Sequence, residues 1–182
     1  MQETAPQPPP PAVAPAGAAA RLLGIIEKAS AAVAALIIFA LMILVVADVA
    51  GRKLFNAPVH GTIEIAALTL PTIVFLSIAY IQSLREHVAV DLFTAGLSLA
   101  TRQALDLFAL TVALAIMAVI TWKTSAFAWS SWLDGEYAMG IVPVPIWPAR
   151  VAVAYGCWLL TIRLAFDLVG TAAALAATRR RG

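Results

Sequence analysis

Charged and reactive side chains are scarce in this sequence. Only 12% of the 182 residues are charged, and the chain has one cysteine and two histidines. A soluble domain carries about 25% charged residues, so a surface built from this sequence would be too apolar for water. The lone Cys157 forms neither an intrachain disulfide nor a multi-cysteine zinc site. The basic residues form no patch interleaved with exposed aromatics, so nucleic-acid binding has no support.

The two histidines are too far apart to share a cofactor. His60 and His87 flank an apolar segment, and as a helix that segment would separate them by about 40 Å. A haem-binding bundle needs paired axial ligands at matched depth. The chain also has no glycine-rich phosphate loop and no nucleophile beside a base. The sequence therefore predicts no enzyme, and neither a cofactor nor a metal in this chain.

Long apolar segments are what the sequence does contain, and 62% of its residues are apolar. A helix needs about 20 apolar residues to cross roughly 30 Å of hydrocarbon. Segments of this kind occupy about 25–48, 63–84, 105–124 and 147–169. Helices are expected there, because open strands would leave backbone groups unpaired in lipid. We therefore predict an all-α polytopic membrane protein with four transmembrane helices, and the lipid bilayer as its surroundings.

The segments outside the four spans have distinct compositions. Residues 1–20 are rich in proline and alanine, which predicts a disordered N-terminal tail ahead of a membrane domain at 21–170. Residues 171–182 form a basic C-terminal tail. The 85–103 loop places Val90, Phe93 and Leu97 on one stripe, which predicts an interfacial amphipathic helix. An aromatic rhythm after Lys123 extends the third helix, and two prolines in the 123–146 loop favour an extended approach to span 4.

Basic residues predict the orientation of the four spans. One side holds eight: Arg21, Lys28, Arg85, Arg102, Arg163, Arg179, Arg180 and Arg181. The other side holds four: Arg52, Lys53, Lys123 and Arg150. The positive-inside rule therefore places both termini in the cytoplasm of a bacterial inner membrane. Four of the five tryptophans (122, 129, 132 and 147) cluster near the predicted outer face, as an aromatic belt would.

Charged residues at the span ends allow several interpretations. Glu64 opens span 2, where the helix dipole favours a negative charge. The favoured interpretation is therefore an acid that marks the span boundary. The alternatives are a contact to a partner subunit and a proton site. Asp48 and Arg52 have the spacing of an i, i+4 ion pair. Arg163 lies a turn inside the hydrocarbon, so we expect a structural partner such as Asp167 or a lipid phosphate.

The middle of the spans carries few polar groups. Spans 1 to 3 hold only scattered hydroxyls there, at Thr69, Thr72, Ser77 and Thr111. A transporter that works alone usually has polar or broken helices at mid-bilayer. Isolated Ser and Thr suit helix packing better than a path for a charged solute. The bundle is therefore predicted to support another membrane protein.

Three motifs, in order along the chain, point to a family. "GRKLFNAPVHGTIE" contains Arg52, Phe55, Pro58 and Glu64, "HVAVDLF" begins at His87, and "PVPIWPAR" ends at Arg150. From about Leu22 to Val169 the chain resembles the small membrane subunit of tripartite ATP-independent periplasmic (TRAP) transporters. Members often have a tryptophan before the acid, and often two acids. Here Gly61 and Ile63 stand near those places.

The resemblance implies a function in a complex. A periplasmic substrate-binding protein would deliver an organic acid, and a large membrane subunit would carry it inward with sodium, which is expected in that subunit rather than in this chain. This chain would be a fixed scaffold that contributes to docking. The partner-interface candidates are Arg52, Phe55, Pro58, Glu64, Trp129, Trp132, Asp134, Glu136, Trp147 and Arg163. The rival hypotheses are a small homodimeric exporter with Glu64 as its proton site, and an electron-carrying enzyme subunit.

Overall fold

The computed structural model describes residues 18–84, 99–140 and 142–181. It contains four helices: α1 (Ala18–Phe55), α2 (Thr62–Leu84), α3 (Leu99–Asp134) and α4 (Trp147–Arg181). All four are long and apolar enough to cross a membrane. In these ranges the only β-structure is an isolated bridge between Tyr137 and Pro145. The predicted all-α, four-span architecture is confirmed.

Some predicted segments fall outside this description. The N-terminal tail up to residue 17, the "HVAVDLF" motif and most of the proposed interfacial helix at 85–103 lie in ranges that the structure does not describe. Residues 99–103 belong to α3, and residues 18–20 belong to α1. The basic segment from 171 continues α4 as helix to Arg181.

Local signals mark three of the helix boundaries. Asn56 adopts a left-handed φ of 50° directly after α1, and Pro58 follows; both are common beyond a helix end. Gly135 has a φ of 59° and ends α3 in the same way. Pro148 lies in the first turn of α4, where its missing N–H costs nothing. The extension of the third helix past Lys123 is confirmed, since α3 runs to Asp134.

The helices pack as a row in the order α1, α2, α4, α3. α2 packs on α1 and on α4, and α3 packs on α4, whereas α1 and α4 meet over a short stretch only. α4 is the most enclosed of the four: 39% of its most apolar stretch is buried, against 11% for α1 and for α3. α1 and α3 are therefore the two edges of the row.

A close backbone contact joins α2 to α4. A Cβ atom at Gly156 would lie 2.1 Å from the backbone carbonyl oxygen of Phe75, so only glycine permits this approach. Nearby, a buried apolar cluster brings Ala79 of α2 and Leu160 and Leu164 of α4 together with Leu23 of α1. α3 adds partly buried apolar side chains to the same cluster. The core thus lies around α4.

Candidate functional site

The two connections that the structure describes lie at the same end of the bundle, which we call the connection end: residues 56–61 between α1 and α2, and residues 135–140 and 142–146 between α3 and α4. The opposite end, where α1 begins and α4 finishes, is the terminal end. Contacts between the connections establish this arrangement. A Cβ at Gly61 would lie 3.3 Å from the side chain of Val142, and one at Gly140 would overlap the Glu64 carboxyl group.

Asp48 organises the α1–α2 connection. Its carboxylate forms an ion pair with Arg52 one turn later, and the other oxygen accepts the backbone N–H of Val59 at 2.9 Å. The hydroxyl of Thr62 donates to the carbonyl of Val59 at 2.9 Å, which ties the connection to the start of α2. The predicted Asp48–Arg52 pair is confirmed. Asp48 also fixes the turn that follows α1, which the i, i+4 spacing alone did not indicate.

Apolar side chains point outward around this connection. Phe55 is 77% exposed, and Leu54 and Ile63 are exposed to a similar degree. Pro58 is exposed between them. These side chains have no cover within the described residues, so they meet the membrane interface or another protein.

Glu64 lies at the connection end, in the first turn of α2. A Cβ atom at Gly140 would lie 2.2 Å from its Oε1 atom, so its carboxyl group packs directly on the backbone of the second connection. Its position in the first turn suits a negative charge, because unpaired N–H groups give that helix end a partial positive charge. Glu64 therefore joins the two connections and is far from the middle of the helices.

The second connection folds back on itself. The N–H of Ala138 donates to the carbonyl of Val144 at 2.8 Å, and the N–H of Ile146 donates to the carbonyl of Glu136 at 3.0 Å. Pro145 sits in this extended arm, opposite Tyr137. The extended approach to α4 predicted from the prolines agrees with this geometry. A hairpin-like connection of this kind holds its side chains in place at the edge of the bundle.

Glu136 is engaged by the bundle. Its carboxylate lies 2.7 Å from the guanidinium of Arg150 and accepts a 3.4 Å hydrogen bond from the buried hydroxyl of Ser131. Arg150 also lies over the ring of Phe127 at 6.0 Å, which favours the cation. Asp134, by contrast, is exposed at the last position of α3. Asp134 is thus accessible to a partner protein, whereas Glu136 is already bound by residues of this chain.

Two tryptophans link α3 and α4 beside this ion pair. The rings of Trp132 and Trp147 meet edge to face, with centroids 4.5 Å apart, in the geometry that aromatic pairs prefer. With Gly135, Tyr137 and Pro145 they line a shallow cavity of about 340 Å³. Trp129 is exposed on the same helix. Trp132 and Trp147 therefore meet at the connection end, whereas Trp122, the fourth tryptophan of the predicted belt, lies 12 residues before the end of α3.

Polar contacts continue between α3 and α4 below the cavity. The indole N–H of Trp158 donates to the hydroxyl of Ser125 at 3.0 Å, and the hydroxyls of Thr121 and Thr161 lie 2.8 Å apart. Buried polar groups between apolar helices need such partners. These contacts hold α3 on α4 and offer no opening.

Arg163 lies at the terminal end between two carboxylates. Its Nε lies 3.0 Å from Asp167 on the same helix, and its Nη1 lies 3.6 Å from Glu27 of α1. Toward the connection end, the hydroxyls of Ser30 and Tyr155 lie 3.1 Å apart. The expected Asp167 contact is confirmed. The sequence analysis did not identify Glu27 as a partner of Arg163, because Glu27 stands beside Lys28 at the edge of the first apolar segment.

The hydroxyls along the middle of the helices are turned toward their own backbone. Thr69, Thr72, Ser77 and Thr111 each donate to a carbonyl one turn earlier, at 2.6 to 3.0 Å. In the part of the chain that the structure describes, no group of three potential metal ligands converges. Such hydroxyls are satisfied within their own helix and do not form a lining for a charged solute.

The partner-interface candidates divide by exposure. Arg52, Phe55, Pro58, Trp129, Trp132 and Asp134 are exposed, whereas Glu64, Glu136 and Trp147 are partly buried and Arg163 is buried. The structure brings Trp132, Glu136 and Trp147 together around the α3–α4 connection. It brings Arg52, Phe55, Pro58 and Glu64 to the α1–α2 connection, at the same end. Arg163 stands apart at the terminal end.

Comparison with known proteins agrees with this description. The family of tripartite ATP-independent periplasmic transporters, DctQ component, matches residues 41–174. The matched range contains α2, α3 and most of α4, together with both described connections. No curated protein and no solved structure matches the chain. Since the match covers most of the sequence, the chain belongs to the DctQ family and is a membrane component of a TRAP transporter, not an enzyme.

Proposed function

We propose that this chain is a fixed scaffold in a sodium-driven TRAP transporter of the bacterial inner membrane. A large membrane subunit would carry an organic acid that a periplasmic binding protein delivers. The connection end would face the periplasm, and both termini would lie in the cytoplasm. In this proposal the chain positions its partners and moves no solute itself.

The scaffold proposal rests on the hydrogen bonds made by the hydroxyl groups in the middle of the helices. A transport site at mid-bilayer needs free polar groups or a broken helix. Here α2 is continuous through Pro71, and the hydroxyls of its middle turns donate to its own backbone. The ion pairs lie elsewhere: the Asp48–Arg52 pair is at the connection end with Arg52 exposed, and the buried Arg163–Glu27 pair is in the half of the bundle away from the connections. Such a bundle supports a neighbour better than it conducts an anion.

The edge helices offer the surfaces for the large subunit. α1 exposes Phe39, Met42 and Ile43, and α3 exposes Phe108 and Ile116. Side-chain packing rather than a hydrophobic effect drives helix association in lipid. We propose that one edge packs on the large subunit and the other faces lipid.

A photo-crosslinking amino acid can distinguish the two edges. Placed at Phe39 on α1 or at Phe108 on α3, it should link the chain to a larger many-span protein from one helix only. Purification of the chain by an affinity tag, followed by identification of the linked protein, is the readout. The absence of such a protein with probes on both edges would contradict the scaffold proposal.

The second connection is the proposed contact for the binding protein. The exposed residues Trp129, Trp132 and Asp134 precede it in the last two turns of α3, at the connection end. Asp134 is the better test of this contact, because a change at Glu136 would also break the ion pair with Arg150. Charges at the edge of an interface act mainly on the rate of encounter.

The Asp134→Lys variant should therefore need a higher concentration of binding protein for half-maximal uptake, with unchanged recovery of the large subunit. Asp106→Lys, a reversal at the terminal end of α3, is the matched control and should leave this concentration unchanged. Normal uptake by the Asp134 variant at limiting binding protein would remove the docking proposal and leave the scaffold proposal standing.

A further inference from the structure

α1 buries a single narrow stripe of residues along its whole length. The spacing between them alternates between three and four: Ala20, Leu23, Glu27, Ser30 and Ala34 are buried, Ile37, Leu41 and Leu44 are half-buried, and Asp48 is buried. This is the period of 3.5 that two helices use when they pack side by side as in a coiled coil. α1 is thus held by one seam, with its other faces exposed.

The middle of this seam does not define the axial position of α1. Between Ser30 and Asp48 it contains only alanine, isoleucine and leucine. A shift of one heptad would put apolar residues opposite the same partners again, and in coiled coils such seams are commonly fixed by a polar residue at a seam position. One heptad corresponds to about 10 Å along the helix.

The two ends of the seam carry one buried carboxylate each. Glu27 is 1% exposed and lies near the guanidinium of Arg163 on α4. Asp48 is 4% exposed and accepts the N–H of Val59 in the connection to α2. They are three heptads apart, about 31 Å of helix, which matches the roughly 30 Å thickness of the hydrocarbon.

We propose that Glu27 and Asp48 are positioning residues that set the axial register of α1 against the rest of the bundle. A shift of α1 toward the terminal end would pull Asp48 from Val59 and into the hydrocarbon. A shift of α1 in the opposite direction would pull Glu27 away from Arg163 and into the hydrocarbon. Since each acid blocks one direction, the pair defines a single position for the seam, and one further polar contact, between the hydroxyls of Ser30 and Tyr155, agrees with that position.

Both arginines keep a partner or water when the acids are removed. Arg163 retains Asp167 at 3.0 Å when Glu27 is lost. Arg52 has a side chain that is 55% exposed, so water replaces Asp48. The combination Glu27→Met with Asp48→Leu therefore tests register without the large penalty of an orphaned guanidinium.

The distance between two spin labels reports the register. Val46 on α1 and Phe166 on α4 are both exposed, and they lie near opposite ends of the row. They are replaced by labelled cysteines in the full chain, with Cys157→Ala, in lipid nanodiscs. The parent protein should give one narrow distance distribution. The Glu27→Met/Asp48→Leu variant should add a second population, displaced by about 10 Å for a heptad shift.

The control removes two exposed charges from the same helix. Lys28→Met with Lys53→Leu should keep the single distance of the parent. The same single distance in the Glu27→Met/Asp48→Leu variant, with or without lower thermal stability, would overturn the proposal. Failure of that variant to accumulate in the membrane would also contradict it, because an apolar seam should still pack.

Discussion

Gly156 is the position where the fold should be most sensitive to a single methyl group. A Cβ there would lie 2.1 Å from the carbonyl oxygen of Phe75, 2.5 Å from its carbon and 2.9 Å from its Cβ. Ordinary contacts begin near 3.4 Å, so α2 and α4 would have to separate by roughly 1.3 Å. The obstacle is helix backbone, which cannot rotate away as a side chain end could.

The expected cost follows from two opposing terms. Overpacking a well-packed site costs about 1–3 kcal/mol, and the loss should fall at the upper end because backbone must move. Alanine regains up to about 1 kcal/mol over glycine in a helix interior. We therefore expect Gly156→Ala to destabilise the protein by about 1–2 kcal/mol, and Gly156→Leu to prevent the α2–α4 contact altogether.

Gly170→Ala is the matched control on the same helix. A Cβ at Gly170 has no atom within 4 Å, so this variant should be neutral or slightly more stable. The assay is thermal unfolding in detergent or nanodiscs, followed by loss of the monodisperse peak. If Gly156→Ala unfolds at the same temperature as Gly170→Ala, the close approach of α2 and α4 is wrong.

Four other variants test the orientation and the α3–α4 contacts. A membrane-impermeant thiol reagent should label Leu54→Cys in intact spheroplasts, because the connection end is proposed to face the periplasm. It should label Ala176→Cys only after lysis. The reverse pattern would show that the orientation is inverted. Arg150→Met should cost less than about 1 kcal/mol in thermal unfolding, since its pair with Glu136 is partly exposed; a larger loss would show that water does not screen the pair. Thr121→Val should cost about 0.6 kcal/mol, the average for hydrogen bonds between transmembrane helices, and an increase in stability would show that its hydroxyl bond to α4 is not formed.

The four spans could be predicted from the sequence, because the hydrophobicity of a segment depends only on its own residues. Hydrophobic length alone predicts four helices, although α1 continues to Phe55 and α3 to Asp134, beyond the apolar segments. The Asp48–Arg52 and Arg163–Asp167 pairs were also predictable, since i, i+4 neighbours on one helix meet whatever the tertiary structure.

Contacts between helices could not be predicted in the same way. The order of the row depends on which faces pack, and the weak amphipathicity of transmembrane helices does not encode this choice, because lipid is as apolar as the core. Glu27 therefore looked like a boundary charge, although it lies against Arg163. Glu136 looked available for a partner, although Arg150 and Ser131 engage it. Glu64 could be assigned to the end of a span from the sequence, but its packing on Gly140 could be seen only in the structure.

Reconstitution in liposomes with sodium either present outside or absent is the most direct test of the scaffold role. The purified chain alone should show no sodium-dependent uptake of any organic acid. Uptake should appear only when the large membrane subunit is present and the binding protein is added outside. Solute movement by this chain alone, above that of protein-free vesicles, would contradict the proposal that it conducts nothing.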